Sequence, residues 1–154
     1  HTYIVPAFSG LGAPWWRDDI YASISGMSRT TGREEIVKAG CECIAYQIND
    51  VIDAMRKDSK IDISQMCVDG GPTRNKYLMQ FQSDISQTEV KIPDAEELSV
   101  IGAGYLAGES AGYYDPDDIY KAITYNFFET KMQEQERSEK VHGWNEAVEM
   151  LLKK

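Results

Sequence analysis

The sequence predicts an α/β layer fold with partly parallel strand pairing. Three observations carry this. The run 61–68 reads as a buried strand and stops at Asp69-Gly70-Gly71, after which Tyr77, Leu78, Phe81 and Ile85 recur at helical spacing. Upstream, Ile36, Gly40, Ile44, Ile48, Val51, Ile52 and Met55 follow the 3.6-residue period of an amphipathic helix. Downstream, residues 89–93 alternate polar and apolar, as a strand with one exposed face does. Strands that alternate with helices pack as layers, with some strands parallel.

Taken in order, residues 1–16 are apolar but interrupted by Pro6, Gly10, Gly12 and Pro14. A short strand over 3–7 is expected, then an irregular loop carrying Trp15 and Trp16 as packing residues. Ile20, Ala22, Ile24 and Gly26 alternate as a second strand ending near Met27. The first long helix opens on a capping box, with Thr31 as N-cap and Glu34 at N3. It fades through Arg56-Lys57-Asp58-Ser59, where basic residues meet its negative end. Within it, Glu42 reads as a surface or helix-end carboxylate.

The next helix is expected over 74–85 and a loop over 94–98. Ser99 then caps a helix over 100–111 that Gly112 ends. Gly102, Gly104 and Gly108 each weaken that helix by about 0.8–1 kcal/mol relative to alanine, which predicts a close approach to a neighbouring element. Their spacing is one residue too long for a dinucleotide fingerprint, and they lie inside a helix. Asp115-Pro116 opens a further helix, 129–140 reads as a solvated charged excursion, and 143–152 closes the chain as a helix using Trp144, Val148 and Leu151 or Leu152.

The chain has 154 residues, enough for one domain with a sizeable core. Its net charge of −9 argues against nucleic acid as a partner, since phosphate contacts need clustered lysine and arginine. A nucleotide remains possible, because backbone N–H groups and a metal can hold phosphates whatever the global charge. No apolar run approaches the ~18 residues of a membrane span, and no signal peptide is visible. Three cysteines, an odd number, read as thiols in a reducing cytosol. Cys41 and Cys43, two apart on a helix, point to different sides and cannot share a metal.

The chemistry gathers at the double-glycine turn. Glycine lets a ligand approach the main chain closely, and free N–H groups at a helix start suit an anionic or electron-rich group. The turn also lies at the carboxyl end of a strand, where open α/β sheets bind ligands. Taken alone, such a turn is more often just a tight strand–helix connection. Its surroundings are more specific. Val68-Asp-Gly-Gly-Pro-Thr-Arg-Asn75-Lys-Tyr-Leu-Met-Gln-Phe-Gln-Ser-Asp84 closely resembles the adenosine-binding segment of the FGGY carbohydrate kinases. Val5-Pro-Ala-Phe-Ser-Gly-Leu-Gly-Ala-Pro-Trp15, Glu42-Cys-Ile-Ala-Tyr-Gln47 and Ile101-Gly-Ala-Gly-Tyr-Leu-Ala-Gly108 resemble the same family in the same order, and Gly143-Trp144 fits as well.

The resemblance implies the ribonuclease H-like fold of the actin-like ATPases. Residues 1–154 would be the second, C-terminal domain of an FGGY kinase without its first strands. It implies transfer of the γ-phosphoryl of ATP, clamped by Mg²⁺, to a hydroxyl of a small sugar or polyol. The base, the polyol contacts and the phosphate loops are implied to lie upstream in an N-terminal kinase domain, so no catalytic or metal-binding residue is assigned within this chain. Gly70 and Gly71 are implied to meet the nucleoside and α-phosphate, and Asn75 the adenine edge. An amide suits that edge, having a donor and an acceptor to match N6 and N7. The chain departs from the family at Arg17-Asp18-Asp19, Tyr21-Ala22, Gly40 and Cys41, which leaves the substrate open. An incomplete sheet exposes an edge, so self-association as a homo-oligomer is expected. An actin-like ATPase module used for switching or assembly, or an inactive scaffold, are the other readings.

Overall fold

The computed structural model describes residues 2–94, 98–113, 115 and 123–153. Its elements are β1 (Tyr3–Val5), β2 (Ser23–Ser25), α1 (Arg33–Ser59), β3 (Gln65–Cys67), a 3-10 turn (Gly71–Arg74), α2 (Lys76–Ser86), β4 (Glu89–Pro93), α3 (Leu98–Ser110), β5 (Tyr125–Phe128) and α4 (Glu134–Leu152). The α/β alternation is present. β3 and β4 pair in parallel around the α2 crossover, with Met66 opposite Val90. β5 adds antiparallel to β4, giving the order β3-β4-β5, while β1 and β2 form a separate antiparallel pair.

The core lies where α1, α2, α4 and β1 meet. Val5, Tyr46, Phe81, Ile85, Trp144 and Val148 are all buried there. Tyr46 is its hub: its ring stacks on Trp144 at 5.1 Å and takes the edge of Phe81 at 5.4 Å. Such pairs add about 0.5–1.5 kcal/mol beyond the area they bury. Gly143 lets α4 reach β1, since a Cβ there would collide with the Tyr3 ring. The Trp15 indole donates to Asp50 Oδ2 (3.1 Å) and the Trp144 indole to the same oxygen (2.9 Å), so one carboxylate ties the Pro14–Trp16 loop, α1 and α4 together. Trp15 packs as expected, whereas Trp16 is 77% exposed.

Several expectations are corrected. The first helix starts at Arg33 with Gly32 as N-cap, and the Gly32 N–H donates to Glu35 Oε2 (2.8 Å). Thr31 instead accepts from the Ser28 N–H (2.8 Å), so its hydroxyl is spent on the preceding turn. The run 61–68 is not a buried strand. Only Gln65–Cys67 pair, Ile61 is 66% exposed, and among the described residues β3 has a neighbour on one side only. Ile24, in the second strand, is exposed as well.

The stretch 129–140 is mostly exposed, as expected, but is a short connection followed by the first turns of α4 rather than an excursion. Asp84 organises that connection, accepting from the backbone N–H groups of Lys131 (2.6 Å) and Met132 (3.0 Å). Lys140 is buried, its ammonium beside Glu136 and above the Phe81 ring, as a long aliphatic stem permits. Ser99 lies inside α3 rather than capping it. A Cβ at Gly102 or Gly104 would meet nothing within 4 Å, so the expected close approach is absent at both. Gly112 does end α3, at φ +76°. The helix expected at Asp115-Pro116 lies outside the described residues.

Candidate functional site

The strand leads directly into the site. Past β3, the Val68 N–H still donates to the Lys91 carbonyl (3.0 Å), and the chain then turns at Asp69-Gly70-Gly71. Gly70 has φ +92° and ψ 177°, a region open essentially to glycine alone. Gly71 has an ordinary backbone, and a Cβ there would meet nothing within 4 Å. Its free face is therefore open, and a side chain would occupy that space. Thr73 holds the turn twice, through its N–H (3.1 Å) and its hydroxyl (2.7 Å) to the Gly70 carbonyl.

The helix expected from residue 74 begins at Lys76, after the 3-10 turn, with Asn75 as its N-cap. Asn75 Oδ1 accepts from the Leu78 N–H (3.2 Å), which fixes which way the amide points. Its Nδ2 donates to Cys41 Sγ (3.2 Å) on α1. One amide hydrogen and one Oδ1 lone pair remain on this exposed side chain. Capping the helix and presenting a donor–acceptor pair are compatible roles for the same residue.

α1 forms the facing wall. A hollow of about 630 Å³ lies between the two helices, lined by Arg33, Val37, Lys38 and Cys41 from α1 and by Asn75 and Tyr77. Glu42, expected at the surface, is buried. Its Oε1 accepts from the Tyr77 hydroxyl and lies 3.7 Å from Lys38 Nζ. Burial first, and then the Glu42 carboxylate that it donates to, push the Tyr77 phenol up. The Tyr46 phenol is raised the same way, by burial and then by Glu42. Neither tyrosine is a base near neutral pH. Among the described residues no group of three or more His, Cys, Asp or Glu side chains could hold a metal ion, and no helix is long and apolar enough to cross a membrane.

Residues 1–111 match the C-terminal domain of the FGGY family of carbohydrate kinases. The chain belongs to that family. It is 47% identical over 154 residues to a glycerol kinase of Natranaerobius thermophilus, and 43% identical over 149 residues to one of Shewanella halifaxensis. These matches take in 98% and 96% of this chain but 30% of each relative's length. Among solved structures, the Plasmodium falciparum glycerol kinase with ADP superposes with a TM-score of 0.88 at 41% identity, over 98% of this chain and 31% of that one. A xyloylose kinase from Brucella ovis shares the fold, with a TM-score of 0.78 at 20% identity over 97% of this chain and 33% of that one.

The FGGY segments fall on distinct parts of the fold. The loop ending in Trp15 packs on α1, Glu42 to Gln47 lie in α1, Ile101 to Gly108 lie in α3, and Trp144 fills the core. Gly70, Gly71 and Asn75 come together at one turn. Sequence reasoning missed Cys41, Glu42 and Tyr77 as neighbours of that turn. Their contacts join α1 to α2, and nothing in the local spacing of either helix signals them.

Proposed function

We propose that residues 1–154 are the C-terminal, nucleotide-binding domain of an ATP-dependent polyol kinase of the glycerol kinase type. The likeness at 41% identity to a glycerol kinase solved with ADP carries this reading. The open face of Gly71 and the spare donor and acceptor of Asn75 support it locally. The adenosine lies against Gly70 and Gly71, with its base edge at Asn75 and the hollow between α1 and α2 alongside. Adenine offers N6–H and N7, a donor and an acceptor, to what Asn75 has left; guanine offers two acceptors there and matches half of it.

Mg²⁺ would sit on the nucleotide phosphates. We assign its ligands, the base and the polyol pocket to the remaining part of the kinase, upstream of this domain, and none of them to a residue of this chain. The domain continues past the family match through α4, whose Trp144 and Val148 complete the core. The enzyme works in the cytoplasm and assembles as a homo-oligomer.

The test is Asn75→Ala in the intact kinase, phosphorylating glycerol with ATP or GTP. Loss of one or two neutral hydrogen bonds, each worth about 0.5–1.5 kcal/mol, should raise the KM for ATP roughly tenfold. The preference for ATP over GTP should narrow, and the KM for glycerol should stay. Unchanged nucleotide constants in a folded variant would leave Asn75 as a helix cap only.

A further inference from the structure

We propose that Glu42 is a positioning residue for the nucleotide, holding the first turn of α2 against α1 through Tyr77. This rests on the adenosine reading above. Glu42 is 7% exposed, a costly place for a carboxylate unless its oxygens are engaged. Its Oε1 takes the Tyr77 hydroxyl and faces Lys38 Nζ at 3.7 Å. The Tyr77 ring is fixed at its other side by stacking on Phe81, 6.0 Å between centroids and 13° from parallel. Phe81 in turn meets Tyr46, which stacks on Trp144, so the chain of rings runs from the site into the core.

Two consecutive residues of α1 thus hold two positions at the start of α2. Cys41 Sγ receives the Asn75 amide, and Glu42 receives Tyr77. The cysteine contact is weak, because sulfur is a poor acceptor. The carboxylate contact is charge-assisted and is the stronger of the two. Asn75 itself is exposed, and among the described residues Cys41 Sγ and the Leu78 N–H aim its amide. If Glu42 lets go, α2 can shift at its start without losing its own helix. Glu42 touches neither nucleotide nor reacting atoms, so its effect belongs in nucleotide affinity and base preference rather than in the phosphoryl-transfer step.

The test uses the intact kinase and four variants, Glu42→Ala, Glu42→Gln, Tyr77→Phe and Asn75→Ala. Calorimetric titration with ADP is read beside KM and kcat for ATP, GTP and glycerol. Glu42→Ala and Tyr77→Phe should each weaken ADP about tenfold and narrow the ATP-over-GTP preference, while kcat and the KM for glycerol stay within about twofold. Glu42→Gln keeps an acceptor oxygen and should recover most of the affinity. A merely structural carboxylate would not show this split or this rescue. Should Glu42→Ala fail to fold, Tyr77→Phe decides alone: weakened ADP supports the clamp and unchanged ADP overturns it. Wild-type ADP affinity in folded Glu42→Ala, or a glutamine variant as weak as the alanine one, also overturns it. If Asn75→Ala moves the nucleotide constants and these variants do not, only the clamp falls. If Asn75→Ala moves nothing, the base-edge role of Asn75 falls and takes the clamp with it, leaving the adenosine reading on the glycines alone.

Discussion

The substitutions Gly71→Val and Gly70→Val should fail in opposite ways. At Gly71 a Cβ meets nothing within 4 Å and the backbone is ordinary, so the fold should barely notice. Surface changes of that kind stay within about 0.5 kcal/mol, a shift of roughly 1–2 °C in Tm for a domain of this size. At Gly70 space is also free, with only Pro72 Cδ at 3.9 Å, but φ is +92°. Holding a branched residue there costs about 1–3 kcal/mol, or roughly 2–12 °C. Binding should divide the other way. In Gly71→Val the two added methyl groups would stand where the nucleoside is proposed to lie, and ADP affinity should fall by at least about a hundredfold, near 2.7 kcal/mol. Thermal unfolding of each variant and calorimetric titration of the intact kinase with ADP make the comparison. A folded Gly71→Val protein that binds ADP like the wild type would place the nucleoside elsewhere. A Gly70→Val protein that melts like the wild type would mean that residue 70 is not held at positive φ.

Asp50 provides a pH test. Burial holds its carboxyl above the ordinary 3.8, against the pull of the Trp144 and Trp15 indoles. The fold therefore favours the protonated acid, a contribution complete below pH 3.8 and lost as pH rises through the folded value. Asp50→Asn keeps an acceptor without the charge, so its Tm should gain on the wild type as pH climbs from below 3.8 toward neutrality; parallel Tm–pH curves would refute this. The unpaired side of β3 should make the 154-residue chain self-associate, visible as light scattering that rises with concentration, and a strictly monomeric chain would show that this edge is covered. The same chain given Mg-ATP and glycerol should show no turnover; rates of roughly 1–100 s⁻¹ would place the whole catalytic apparatus inside it.

Local signals were legible and contacts were not. The alternation at residues 89–93 coincides with β4, and α1 runs to Ser59, but its covered face is carried by Ala39, Cys43, Tyr46, Asn49 and Ile52, while Ile44 and Met55 of the expected stripe are exposed. The run 61–68 misled because apolar character shows that a strand could be buried, while burial depends on a neighbour, and β3 has one on a single side among the described residues. Charge correctly marked most of 129–140 as solvated but hid its helix, and it gave no sign that the Lys140 stem and the Asp84 carboxylate hold the segment to the body of the protein. Gly70, Gly71 and Asn75 fall at one turn because one short stretch of chain holds all three. The contact of Glu42 with Tyr77 was not legible, since only the packing of α1 on α2 makes it.

The three tryptophans form a natural optical gauge of this fold. Trp16 is 77% exposed, Trp15 is half-buried, and Trp144 is 1% exposed against the Tyr46 ring. Iodide in solution can collide with the first and is shut out from the last, so emission should separate into a quenchable red component and a protected blue one. Trp15 and Trp144 lean on a single carboxylate oxygen, so any event that frees Asp50 alters the light from both at once. With no label attached, the ratio of the two components would report how firmly the loop and the last helix are fastened to α1.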